Sequence, residues 1–302
     1  MDRKTKSFED ILLERLHAEF EGYDFRVEKI VKNNDYTYAG VCMRSESGEI
    51  YPVVPLKLLE EKYKEEKNME ALVDTFKKSI DSELKMNFYY IMEYGNVRDS
   101  IMLRVVNYEM NRGFLETVPH RRYLDLAVAY MVEIPDKEDV NKVYCAMVSD
   151  KLMAEWGITE EELYETARKN YFAKKPTVLK NMSTVILGLM GMKEDSEVIT
   201  EYHGEPKMYV MSNENNKNGA TAILDIGAIR RLAEDIGKNL YILPSSVHEL
   251  IIIPEFRDIE EKTLLELVRG TNRDIVCRME WLSNNIYCYD RACDMIKVIS
   301  EG

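Results

Sequence analysis

The stretch NLYILPSSVHELIIIP, residues 239–254, constrains the fold more than any other. Two apolar runs of strand length each end in a proline, and a serine pair, a histidine and a glutamate separate them. Proline cannot donate to a ladder, so each run stops where it does. Two short apolar runs across a brief polar break predict neighbouring strands. The surrounding order is as clear. DIGAIRRLAEDIGKN (225–239) has helical apolar spacing, with Asp225 in N-cap position and Gly237 near its end. RDIEEKTLLELVRGTNRD (257–274) is an acidic-fronted helix, as the helix dipole prefers. NIYCYD (285–290) and MIKVIS (295–300) add strands, while KMYVMS (207–212), a polar turn and ATAILD (220–225) predict a hairpin.

Earlier in the chain, SFEDILLERLHAEF (7–20) is an amphipathic helix with Ser7 as its N-cap. YDFRVEKIVK and YTYAGVCMR form a hairpin around the turn Asn33–Asp35. A Glu-, Lys- and Leu-rich stretch from Leu56 to Leu84 reads as two helices broken at Asn68. SIMLRVVNYE (100–109) is a strand, NRGFLETVPHRR (111–122) a short helix and turn, and YLDLAVAYMVEI (123–134) a long buried strand. AMVSDKLMAEWG (146–157) is a helix stopped by Gly157, and Thr159 with Glu162 makes a capping box for the next. KNMSTVILGLMG (180–191) fits either a short helix or an apolar connector. Helices and strands in this order predict an α+β protein with mostly antiparallel sheets and packed helices in two or three lobes. The divisions fall near residues 92 and 195, giving units 1–92, 93–194 and 195–302.

Charge and composition exclude several function classes. With 54 acidic against 41 basic residues, the net charge of −13 repels phosphate backbones, so nucleic acid is not an expected partner. No stretch reaches the roughly 20 apolar residues of a membrane-crossing helix, so no membrane partner is expected. The start, MDRKTKSFEDILLERL, lacks a signal-peptide core, and five scattered cysteines without a C-x-x-C pair suit reduced thiols; a cytoplasmic location is expected. Gly188, Gly191, Gly219 and Gly227 form neither a dinucleotide fingerprint nor a phosphate loop, and no cofactor is expected.

Two places carry candidate chemistry. In the first, Ser245 or Ser246 is a candidate nucleophile, His248 its base and Glu249 a further acid. In an extended segment Ser246 and His248 share one face and Ser245 and Glu249 the other. No strained G-x-S-x-G elbow presents the serine, and the plainer reading is a turn between two strands. His248–Glu249 is also half of a zinc motif, but Ile252 stands where the second histidine belongs, and His17, His120 and His203 are far away in sequence; no metal is expected. In the second place, His120, Arg121 and Arg122 could grip an anion, or Asp125 could pair with one of the arginines and make the cluster scaffold.

Several phrases taken together, IVKNND (30–35), LRVVNYEMN (103–111), VPHRRYLDLAVAY (118–130), EWGITEEELYETARKN (155–170), MYVMSN (208–213), GATAILD (219–225) and LPSSVHELIIIP (243–254), resemble a domain-of-unknown-function family associated with clostridial gut bacteria. The resemblance implies a bacterial cytosolic protein and brings no activity, cofactor or catalytic residue with it. The function expected is therefore non-enzymatic binding of a protein partner or a small molecule. The alternative is a hydrolase of an ester, amide or phosphate working through Ser246 and His248, with His120 or Arg121 stabilising the developing anion.

Overall fold

The computed structural model describes residues 6–46, 51, 53–81, 88–135, 143–190, 208–256 and 260–300. In the N-terminal unit, Ser7 and Asp10 form a reciprocal capping box at the start of α1 (Phe8–Glu19). Strands β1 (Tyr23–Val31) and β2 (Thr37–Ser45) pair antiparallel from Tyr23 opposite Ser45 to Val31 opposite Thr37. Asn34 and Asp35 turn the chain between them in the left-handed region, at φ 59° and 54°. The short β3 (Val54–Pro55) pairs with β2. Helices α2 (Leu56–Glu66) and α3 (Met69–Asp81) follow, separated where Lys67 turns left-handed. Leu12, Leu16, Phe25, Val41, Leu72 and Phe76 close into a core of their own.

The middle of the chain starts with α4 (Phe88–Met92) and α5 (Tyr94–Val97). Then come β4 (Ile101–Asn107), α6 (Arg112–Leu115), β5 (His120–Tyr123), β6 (Leu126–Pro135) and β7 (Val143–Met147). Their sheet runs β4–β6–β5, and β7 extends β6 beyond the end of β5. Two of these strands differ from the sequence reading. His120–Arg122 is strand rather than turn, because it pairs with Ala127–Ala129 of β6 across a tight reversal at Leu124. Val143–Met147 is strand and takes Ala146 and Met147 from the helix predicted over 146–157, because β6 is long enough to hold it. Helices α7 (Asp150–Trp156) and α8 (Glu160–Lys174) begin at Ser149 and Thr159 caps, and Gly157 ends α7 left-handed at φ 66°.

The last third builds a six-stranded antiparallel sheet. Its elements are β8 (Thr177–Asn181), α9 (Met182–Leu189), β9 (Tyr209–Asn213), α10 (Ile226–Ile236), β10 (Leu240–Pro244), β11 (Leu250–Pro254), α11 (Glu261–Asp274), β12 (Ile286–Asp290) and β13 (Met295–Ile299). The strand order is β13–β12–β10–β11–β9–β8. KNMSTVILGLMG thus divides into a strand end and a helix. GATAIL (219–224) is a 3-10 helix, where the sequence predicted a hairpin strand. The segment is held by its neighbours: Ala220 N–H bonds Val247 O, and the Thr221 side-chain Oγ1 accepts the Val105 N–H of β4.

All pairings among the described residues are antiparallel, and the protein is α+β. A continuous apolar core runs from Ile91 to Ile296 and takes side chains from both larger sheets. On the other face of the six-stranded sheet, Leu264, Leu265 and Val268 of α11 cover Tyr241, Leu243 and Ile253. No helix among the described residues is long and apolar enough to cross a membrane.

Candidate functional site

The serine–histidine segment is a bend held by its own backbone. Ser246 Oγ accepts the His248 backbone N–H at 3.0 Å, and Ser246 N–H reaches Glu249 O at 3.3 Å. Ser245 Oγ lies 3.4 Å from Glu249 Oε1. The imidazole is turned elsewhere. Its Nδ1 accepts the Asn218 N–H at 3.2 Å, which places the neutral ring's proton on Nε2, 3.6 Å from Glu280 Oε1. Neither serine hydroxyl hydrogen-bonds the ring. The contact between Ser245 and Glu249 matches their shared face in the sequence; the Ser246–imidazole contact is replaced by one to the backbone. A further backbone tie, Ser212 Oγ donating to His248 O at 2.8 Å, pins the bend to β9.

His120 sits in the other sheet and shares no hydrogen-bond partner with His248. Its Nδ1 is 3.0 Å from Val118 O, and its ring lies beside Tyr108. Arg121 grips Glu160 with both Nε (2.7 Å) and Nη2 (2.9 Å), bonds Glu161, and stacks 3.8 Å from the Tyr164 ring centroid. Tyr130 donates to the same Glu160 carboxylate. Burial opposes ionisation of Glu160, yet the hydrogen bonds from Arg121 and Tyr130 outweigh it and hold its pKa below the usual value. Arg122 lies over Tyr108. Arginine thus pairs with α8 and not with Asp125. That carboxylate instead accepts from Ser283 Oγ (2.5 Å), Asn285 Nδ2 (2.9 Å) and Tyr287 OH (2.8 Å). His203 lies outside the described residues.

A different set of residues surrounds a hollow of about 660 Å³ between α8 and the start of α10. Arg168 and Lys169 approach from α8 and Arg231 from α10. None of the three forms an ion pair among the described residues. Glu165 also faces the hollow and stands four residues before Lys169, a spacing that permits pairing on a helix, yet the two do not meet. Asp225 Oδ1 caps α10 by accepting the Ala228 N–H at 3.0 Å. Thr177 lines the wall with a buried hydroxyl oxygen that has no hydrogen-bond partner. Phe172 and Leu224 supply apolar surface. Sequence reasoning missed this set because each member is an ordinary helix or strand-end residue and the two helices are far apart in sequence. One signal was present: Gly227 lies in the first turn of α10 with no left-handed φ to require glycine.

The model of a family of unknown function, DUF5688, matches residues 5–291. The chain belongs to this family. No curated protein and no solved structure matches it. In this DUF5688 member the phrases IVKNND and LRVVNYEMN meet at one buried asparagine hub. Asn34 N–H donates to Asn111 Oδ1 (2.8 Å), and Asn34 Nδ2 reaches Arg278 O (2.7 Å) and Trp281 O (2.8 Å). Asn111 Nδ2 returns to Asn34 Oδ1 (2.9 Å) and Asn107 O (2.8 Å), while Asn107 Nδ2 holds Leu282 O (3.0 Å). The hub joins the N-terminal hairpin to the two larger sheets. Its groups face one another inside the protein, so its chemistry is that of a joint.

Proposed function

We propose that this DUF5688 protein is a non-enzymatic binding protein of the bacterial cytoplasm that takes a small molecule in the hollow between α8 and α10. One observation carries the reading: the hollow gathers charged side chains that leave one another unpaired, while Ser246, His248 and His120 are engaged with backbone. Its volume, about 660 Å³, falls within the range of ligand sites. The place is also apt, since one wall is α8, which packs on β4, and the other is the start of α10 with Thr177 of β8 in the six-stranded sheet. All five cysteines are free thiols, which supports a reducing compartment.

The test is capture of small molecules. The full chain is equilibrated with a metabolite extract, separated by size, and analysed by mass spectrometry beside a doubly charge-reversed variant, Arg168→Glu with Arg231→Glu. Compounds retained by the unaltered protein and lost by the variant are expected. Equal recovery from both, or none from either, rejects the hollow as the site.

A further inference from the structure

The geometry points to an organic acid as the ligand: a single oxyanion head on an apolar body, seated between Arg168 and Arg231 with the body against Phe172 and Leu224. This rests on the reading of the hollow as a binding site and adds the ligand's chemical class. The head is argued from donors without acceptors. Arg168, Lys169 and Arg231 all face the hollow without an ion pair among the described residues, in a chain whose net charge is −13. A guanidinium presents a planar fork of N–H donors that matches a carboxylate or phosphate edge. The first turn of α10 adds N–H groups that no carbonyl of the helix can satisfy; Asp225 takes the one on Ala228. Asp225 and Glu165 share the wall, and their charges work against a polyanion, so one acid group fits where a polyphosphate would not.

The body is argued from size and lining. A bare inorganic anion would leave most of a hollow of about 660 Å³ to water. Phe172, Leu224 and Ile226 are only partly buried there and gain from an apolar neighbour. Gly227 fits the same picture. A Cβ at this position would stand 3.4 Å from Arg231 Nη1 and 3.4 Å from Asp225 Oδ1, in the space between the guanidinium and the helix start.

Titration calorimetry and amide NMR of the full chain test this with four probes: 3-phenylpropionate, phenyl phosphate, inorganic phosphate and benzyl alcohol. The first two are expected to bind and to shift the Gly227 and Thr177 amides, and their relative affinity tells a carboxylate from a phosphate ester. Inorganic phosphate, lacking the body, and benzyl alcohol, lacking the head, are expected to bind about tenfold more weakly or worse. Arg231→Gln and Arg168→Gln should each weaken the acids about tenfold. Gly227→Ala should weaken them while leaving the melting temperature unchanged or raised, which a purely structural glycine would not do. If neither acid binds at about 1 mM, or if both variants bind as the unaltered protein does, the organic-acid assignment is overturned. If inorganic phosphate binds as tightly as phenyl phosphate, the apolar body is wrong. Should the acids fail while extract compounds are still captured through Arg168 and Arg231, the ligand class falls and the hollow stands; failure of both removes both.

Discussion

At position 160 one carboxylate accepts from the Arg121 guanidinium and the Tyr130 hydroxyl, and its loss tests how far that contact holds β5 and β6 to α8. Glu160→Gln is expected to lower unfolding free energy by about 2 kcal/mol, between the values for exposed and buried ion pairs. The pH dependence has a definite sign. A carboxyl whose folded pKa is depressed contributes fully above its unfolded pKa, about 4.3, and loses that contribution as pH falls through the lower folded value. Urea titrations from pH 7 to pH 3 should therefore show the two proteins converging only at the acid end; a constant gap would count against the assignment. Asn34 offers a cleaner separation of terms. It is fully buried at φ 59°, so Asn34→Gly removes the side-chain bonds to Arg278 O, Trp281 O and Asn111 Nδ2 and keeps the backbone with its N–H bond to Asn111, at a cost of about 2–3 kcal/mol. Asn34→Ala should cost about 1 kcal/mol more, because alanine resists the left-handed region. Equal losses in denaturation would show that the backbone conformation is unimportant there. Arg104 is the contrary case: its Nε is buried without a partner and burial lowers its pKa, so Arg104→Met should stabilise by about 1 kcal/mol.

Among the elements, helix ends were the most legible. Ser7 with Asp10, Thr159 with Glu162, Asp225, Gly157 and Gly237 all stand where local rules place caps and stops, because a cap is settled within four residues. The strands beginning at His120, Val143 and Thr177 were not read, since each is short and has as its main recommendation a partner strand already in place. The 3-10 segment at 219–224 shows the same dependence. An added Cβ on Gly219 would lie 2.0 Å from Ser212 Oγ and 2.5 Å from His248 O, so this backbone is pressed against β9 and the serine–histidine bend. Gly219→Ala should cost about 2–3 kcal/mol and loosen the bend, seen as faster amide exchange at Val247 and His248. Unchanged exchange there would mean that the contact yields easily.

For the molecule as a whole, charge and cores set different behaviours. A net charge of −13 makes the folded surface repel itself, so added neutral salt should raise the melting temperature modestly. A fall with salt would mean that attractive pairs dominate. The N-terminal core is separate from the one linking the larger sheets, and the asparagine hub connects them through hydrogen bonds between residues more than 70 positions apart.

Alternation of apolar and polar residues, prolines at strand ends and caps at helix starts settled from the chain alone that the protein is α+β with antiparallel hairpins, because those signals act over a few residues. Which side chains meet was decided by the folded arrangement. Arg121 finds Glu160 in α8, Asp125 finds the loop before β12, and Arg168 and Arg231 come to face one hollow from helices about sixty residues apart. A carboxylate or a guanidinium has the same local preferences whether or not its partner is near. Only packing of the sheets and helices against one another selects the partner, and with it the place where a ligand could sit.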